Sequence, residues 1–280
     1  MQNAGIAELG LDWRYLAFEV HPDDLRSVMA GAKAMNFIGL NLTVPHKLLA
    51  LELVDSLDET AKLWGAVNTI RFEARNAKGK WQPLRHFTDS IPREIRSRGF
   101  NTDADAITCS LREDLELKLK GAKALLLGAG GAGRVAALKL AAEGVEELFL
   151  VNRTESKAEA IAAEIRQRFP KVKVTVGYPK KASLALDLLL NATSLGLKPD
   201  DGSPLDERKF ELRRVHSVYD MIYRPAETAL LKAAKAAGCR TANGMGMLLY
   251  QGARALELWT GKPAPVKAMR EALRKNIYGH

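Results

Sequence analysis

The sequence predicts an α/β protein of two domains, and three observations carry that reading. A short apolar run, Ala124 to Leu127, leads into glycines at 128, 130, 131 and 133, then an Ala/Leu-rich helical stretch, then a second apolar run, Leu148 to Val151. Strand-like and helix-like segments alternate on both sides of that unit, the pattern of a mostly parallel sheet. A chain of 280 residues, 47% hydrophobic, has room for two modest cores. The boundaries fall at residues 1–110 with 245–280 for one domain and 111–244 for the other.

Along the chain, Asp12 to Val20 is aromatic and β-branched and reads as a strand. His21, Pro22 and Asp23 break it and open a helix running to about Ala34. Phe37 to Val44 reads as a second strand, and Pro45 suits the first turn of a helix that begins with His46 and Lys47. After Asp55 and Asp58 come a short helix and a strand through Val67, Asn68, Thr69 and Ile70. In the second domain the strands are Ala124 to Leu127, Leu148 to Val151, the alternating Val172, Val174 and Val176, Leu186 to Leu190, and Ser217 to Met221. Two of them end in polar clusters, Asn191 to Ser194 and Asp220 with Tyr223, at the edge where ligands sit in open parallel sheets. A helix from Glu227 closes at Gly238. Asn243 to Gly246 lead into a long helix through Gln251 and Trp259, with a last helix after Pro263. These C-terminal helices are expected to pack back on the first domain.

Composition excludes several classes of function. No run of some 18 uncharged apolar residues and no basic-then-apolar leader is present, which points to a soluble, cytoplasmic protein with no membrane partner. Cys109 and Cys239 lack metal-type spacing and the five histidines are scattered, so no metal is expected. The net charge of +9 is spread over helices among Glu and Asp. It argues against a nucleic-acid surface and for attraction of an anionic cofactor and substrate.

The glycine turn has the context that dinucleotide binding requires, a strand before it and a helix after it. Gly128, Ala129, Gly130, Gly131, Ala132 and Gly133 let the backbone approach a pyrophosphate and aim a helix N-terminus at it. The alternative is a turn that merely lets a helix pack tightly on a sheet. Past the second strand stand Asn152, Arg153 and Thr154, then Lys157, with no acid at the strand end. A guanidinium there accommodates a 2'-phosphate, so the cofactor read is NADP, in a Rossmann-type domain. Thr154 also suits the cap of a helix beginning at Glu155.

Beyond this turn, Asn41-Leu42-Thr43-Val44-Pro45-His46-Lys47, Gly65 to Ile70 and Gly99-Phe100-Asn101-Thr102-Asp103 resemble segments of the shikimate dehydrogenase family. So do Asn152-Arg153-Thr154, Asn191-Ala192-Thr193-Ser194, the Asp220, Tyr223, Pro225, Thr228 pattern, and Asn243 to Gln251, in order over almost the entire chain. The resemblance implies an NADP-dependent, reversible oxidation of a ring hydroxyl of shikimate, a step of aromatic amino-acid biosynthesis, by a monomer or homodimer acting on a small hydroxy-carboxylate. It makes the first domain the substrate and catalytic one. Lys47 and Asp103 become the catalytic pair, and Thr43, Asn68, Tyr223 and Gln251 the substrate contacts. Asn191, Thr193, Met221, Gly244 and Met247 join the cofactor set. Relatives acting on quinate or an aminoshikimate, and a non-catalytic NADP-binding remnant, are the alternatives. Read residue by residue, Lys47 is equally a helix-surface lysine and Asp103 a turn or cap.

Two departures from the family stand out. The chain begins inside the family's S-x-S-P segment, so its first strand and both serines are expected to be absent, which would expose a sheet edge. Ala104-Asp105-Ala106 stands where the family has glycines, and some 17 residues, Gln82 to Arg98, precede Gly99 as an insertion.

Overall fold

The computed structural model of the chain describes residues 1–180, 184–198 and 200–279. It divides into two compact units, Met1–Asp103 with Leu249–His280, and Ala104–Leu248. No helix among the described residues is long and apolar enough to cross a membrane.

The first unit opens with α1 (Gln2–Glu8) and α2 (Leu25–Ala34), the latter entered through a 3₁₀ turn at Pro22–Asp24. Then come β1 (Gly39–Asn41), α3 (His46–Leu53), β2 (Ser56–Leu57), α4 (Glu59–Trp64), β3 (Thr69–Arg75), β4 (Trp81–Pro83) and β5 (Ile95–Phe100). The sheet runs β1-β3-β5-β2, with β4 also on β3. The parallel sheet expected here is not found: only β2–β5 is parallel, and β1, β4 and β5 all pair antiparallel with β3. The residues read as an insertion explain part of this. They supply β4 and the start of β5, and the turn from β3, where Asn76 Oδ1 accepts from Lys78 N and Lys80 N at 3.0 Å, is too tight for a parallel crossover.

Asp12 to Val20 forms no strand either. At its middle the Asn3 side chain takes Tyr15 N at 2.7 Å and gives its amide to Tyr15 O at 2.9 Å, as a strand neighbour would. Leu16 and Phe18 are left 66% and 64% exposed. The Phe37–Val44 strand contracts to three residues, and Pro45 occupies the N-cap of α3 rather than its first turn. Leu25, Met29, Val67, Ile70, Phe72 and Leu84 fill the core beneath this sheet.

The second unit contains α5 (Asp103–Leu115, its first residue belonging to the first unit), β6 (Lys123–Leu127), α6 (Gly131–Ala142), β7 (Glu147–Val151), α7 (Glu155–Arg168) and β8 (Lys173–Val176). These are followed by β9 (Leu186–Asn191), β10 (Val215–Asp220), α8 (Ala229–Ala236) and β11 (Arg240–Asn243). All pairs are parallel in the order β8-β7-β6-β9-β10-β11. The order reverses between β6 and β9, which is where doubly wound sheets hold their ligands. Strand β11 was not foreseen, because Arg-Thr-Ala-Asn carries no apolar alternation. The chain ends with α9 (Met245–Thr260) and α10 (Val266–Tyr278). Both join the first unit as expected: Leu256 and Met269 close on Gly5 of α1, and Trp259 Nε1 donates to Ile70 O at 2.9 Å.

Candidate active site

In the first unit, Lys47 in the opening turn of α3 donates from Nζ to Asp103 Oδ2 at 2.7 Å. Asp103 is the first residue of α5, and the Asn101 side chain accepts its amide at 3.1 Å, which starts the helix there. The pair is half-shielded, with side-chain exposures of 27% and 12%. Asn68 joins it: Nδ2 donates to Asp103 Oδ1 at 2.8 Å, while Oδ1 accepts from Thr102 N at 2.8 Å. An ammonium and an amide thus hold the two oxygens of one carboxylate, a group able to carry and return a proton at Nζ. Thr43 is exposed just ahead of α3, and Gln251 is half-buried on α9. Tyr223 belongs to the second unit, past β10, and is 38% exposed.

The added acid at Asp105 does not crowd this pair. Two residues on along a helix, a side chain faces away from Asp103, and Asp105 is held by Lys139 Nζ at 2.8 Å. Glu143 binds the same ammonium, and these partners raise Lys139 above the ordinary lysine range against the opposing effect of its burial. Ala104 and Ala106 are buried at 0% and 2%.

In the second unit, the glycine turn sits at the reversal of strand order. Gly128 has φ 105°, and a Cβ there would lie 2.9 Å from Ala192 O. A Cβ at Gly133 would lie 2.1 Å from Gly128 O, so helix and turn touch backbone to backbone. Gly130 and Gly131 differ: a Cβ on either would meet no protein atom within 4 Å. Their amides, with that of exposed Ala132, belong to the first turn of α6, which no side chain caps. A turn with tight contact inside and free amides outside fits a dinucleotide's pyrophosphate.

Asn152 ties this turn to the end of β7. Its Oδ1 accepts from Ala129 N at 3.0 Å and its Nδ2 donates to Thr154 O at 2.8 Å. Thr154 is the N-cap residue of α7, but its side chain makes no capping bond, contrary to expectation. Arg153 and Lys157 are exposed and form no ion pair among the described residues. Two unspent cations at the strand end suit a 2'-phosphate better than a ribose hydroxyl.

Asn191 is fully buried, donating to Asp220 Oδ1 at 2.9 Å and accepting from Thr193 N and Oγ1 at 3.0 and 2.8 Å. It shapes the turn after β9 from within. Burial raises Asp220 above the usual carboxylate range, although Thr228 Oγ1, Ile222 N and Asn191 all donate to it. Gly244 is required by close approach, since a Cβ would lie 1.9 Å from Met221 O. Met247, in the first turn of α9, donates its amide to the buried Tyr219 phenol, which shares a 2.8 Å bond with Ser110. Ser110 in turn donates to Asp114 at 2.6 Å. Reading the sequence did not single out Tyr219, Ser110 or Thr102; Thr102 lay inside a quoted motif, whereas Ser110 and Tyr219 carry no spacing signal.

Three family descriptions match this chain: the shikimate dehydrogenase substrate-binding domain over residues 1–70, shikimate/quinate 5-dehydrogenase over 110–194, and the shikimate 5'-dehydrogenase C-terminal domain over 244–274. A shikimate dehydrogenase (NADP(+)) of Methanopyrus kandleri is 39% identical over 99% of this chain and 90% of its own length. Among solved structures, a Thermus thermophilus shikimate 5-dehydrogenase in complex with NADP(H) and shikimate is 33% identical, with a TM-score of 0.78 over 98% of this chain and 92% of that one. A ligand-free 5-ketofructose reductase of Gluconobacter is 35% identical, with a TM-score of 0.79 over 99% and 92%. By sequence along its full length and by architecture, the chain belongs to the shikimate dehydrogenase family.

Proposed function

We propose that this protein is an NADP-dependent shikimate dehydrogenase, moving hydride reversibly between NADP(H) and the shikimate/3-dehydroshikimate pair in aromatic amino-acid biosynthesis. The observation that carries the proposal is the 2.7 Å bond between Lys47 Nζ and Asp103 Oδ2, formed across 56 residues of sequence. Oxidising a secondary alcohol to a ketone releases a hydroxyl proton as well as a hydride. NADP+, when bound, accepts the hydride. In the oxidation direction Lys47 Nζ acts as the neutral amine, taking the hydroxyl proton to become the ammonium. In the reverse direction the ammonium returns that proton to the carbonyl oxygen, and Asp103 keeps the nitrogen in place. Thr43, Gln251 and Tyr223 are the further substrate contacts in this reading, and the overall charge of +9 favours an acidic substrate.

The cofactor would be held by the amides of Gly130, Gly131 and Ala132 at the pyrophosphate and by Arg153 and Lys157 at the 2'-phosphate. Thr154, Thr193, Met221, Gly244 and Met247 would complete the site. The test is the absorbance of reduced cofactor with purified protein, NADP, and shikimate, quinate or neither. Shikimate-dependent reduction is expected, and Lys47→Ala should lower kcat at least 100-fold while NADP binding is retained. Tight NADP binding with no oxidation of either ring acid would refute the enzyme reading.

A further inference from the structure

The Lys47–Asp103 pair ends a longer hydrogen-bonded chain. Asn68 is only 1% exposed, and its carboxamide is fully engaged inside the protein. Nδ2 gives one hydrogen to Asp103 Oδ1 at 2.8 Å and one to Thr102 Oγ1 at 3.0 Å, which exhausts its donors. Oδ1 accepts from Thr102 N at 2.8 Å and faces Thr69 Oγ1 at 3.3 Å. Thr69 Oγ1 accepts from Asn41 Nδ2 at 3.0 Å, and Asn41 Oδ1 accepts from the Tyr15 hydroxyl at 3.1 Å.

The direction of these bonds follows from chemistry. A backbone carbonyl can only accept, so the 3.2 Å contact of Asn41 with Asn68 O identifies the Asn41 NH₂, and the amide oxygen on its other side accepts from the Tyr15 phenol. Asn41 then presents its NH₂ to Thr69, whose own proton has two acceptors at 3.3 Å, Asn68 Oδ1 and Thr102 Oγ1. Thr102 Oγ1 itself lies 3.2 Å from Asn68 Oδ1, so both routes end on the Asn68 amide. Asn68 presents its NH₂ to Asp103. One continuous path of hydrogen bonds thus joins the Tyr15 phenol to the carboxylate.

Tyr15 is itself firmly held. Asn3 clamps both its backbone groups, and its ring lies 6.2 Å from that of Trp259. Burial raises its phenol above the ordinary range, which keeps the donor proton in place.

We propose that Tyr15 is a positioning residue: through Asn41, Thr69 and Asn68 it orients the Asp103 carboxylate that holds Lys47. Asn68 then holds Asp103 from inside the protein. The inference rests on Lys47 and Asp103 being the proton-transfer pair.

The experiment compares Tyr15→Phe, Asn41→Ala and the double variant by kcat and KM for shikimate, with thermal melting to show that each is folded. Tyr15→Phe should lower kcat about threefold to tenfold, the scale of one internal hydrogen bond, with KM within about twofold. The double variant should be no slower than Asn41→Ala alone, because both act through one path. Wild-type kcat in Tyr15→Phe, a raised KM with kcat intact, or additive losses in the double variant would each overturn the proposal. Should Tyr15→Phe fail to fold, Asn41→Ala must show the same fall in kcat at constant KM. If Lys47→Ala is inactive while Tyr15→Phe is not slowed, only this inference fails. A wild-type chain that does not reduce NADP with shikimate overturns both readings.

Discussion

Replacing two neighbouring glycines separates a cofactor cradle from a merely tight turn. Gly131→Ala adds a Cβ that meets no protein atom within 4 Å, at a position whose φ is not in the left-handed region. Folding therefore gains rather than loses, by up to about 1 kcal/mol from helix propensity. For a unit of this size that is up to about 3 °C in Tm. The same methyl stands where a pyrophosphate would approach the amides of α6, and pushing the phosphates outward should weaken NADP about 10- to 100-fold, or ~1.4–2.8 kcal/mol. Gly133→Ala behaves differently. Its Cβ would lie 2.1 Å from Gly128 O and 2.8 Å from Gly128 C, both backbone atoms, so helix and turn must part by roughly an ångström. That strain costs about 1–3 kcal/mol, or roughly 3–10 °C, along with cofactor affinity. Titration of NADP against intrinsic fluorescence, beside melting curves, reads both quantities. Unchanged NADP affinity in a Gly131→Ala protein of normal stability would refute the cradle.

Two further outcomes follow from named groups. Arg153→Ser should raise the KM for NADP about 10- to 100-fold, the worth of a charge-assisted bond, and leave the KM for NAD, measured beside it, unchanged; an equal effect on both cofactors would remove Arg153 from the 2'-phosphate. Glu73 is 2% exposed, and although burial alone would raise its carboxyl, Arg71 and Arg96 outweigh that and hold it below the ordinary glutamate range. A depressed carboxylate contributes stability that is full above the unfolded value of about 4.3 and is lost as pH falls through the lower folded value. Wild-type protein should therefore lose stability below about pH 4. Glu73→Gln should cost about 3 kcal/mol at pH 7 and flatten that acid limb in urea titrations. The estimate sits at the low end of the ~3–5 kcal/mol for breaking a buried pair, because the guanidiniums keep 17% and 25% exposure. An unchanged acid limb in the variant would show that other carboxylates, such as Asp55 and Asp58, dominate it.

The amino-acid sequence by itself determined most of the second unit, though neither α5 nor β11. Its central strands β6, β7 and β9 are largely buried and read as apolar runs, and the turn at Gly128 to Gly133 is local, so near neighbours specify it. The first unit was legible in its motifs and in its helices other than α1, but not in its sheet. Pairing direction depends on which strands meet, and that is decided by long-range contacts such as Trp259 on Ile70 O. Asp12 to Val20 has the composition of a strand, yet it pairs with no strand and Tyr15 at its middle bonds the Asn3 side chain instead; composition cannot report a partner. Lys47 and Asp103 were nameable only by resemblance; what joins them is the fold, which brings the first turn of α3 to the first residue of α5. Tertiary structure alone revealed that Asn68 bonds Asp103 and that Tyr15 stands at the far end of the same hydrogen-bonded path. The reason is physical: hydrogen-bond direction is a property of side chains assembled in space, and no spacing along the sequence encodes it.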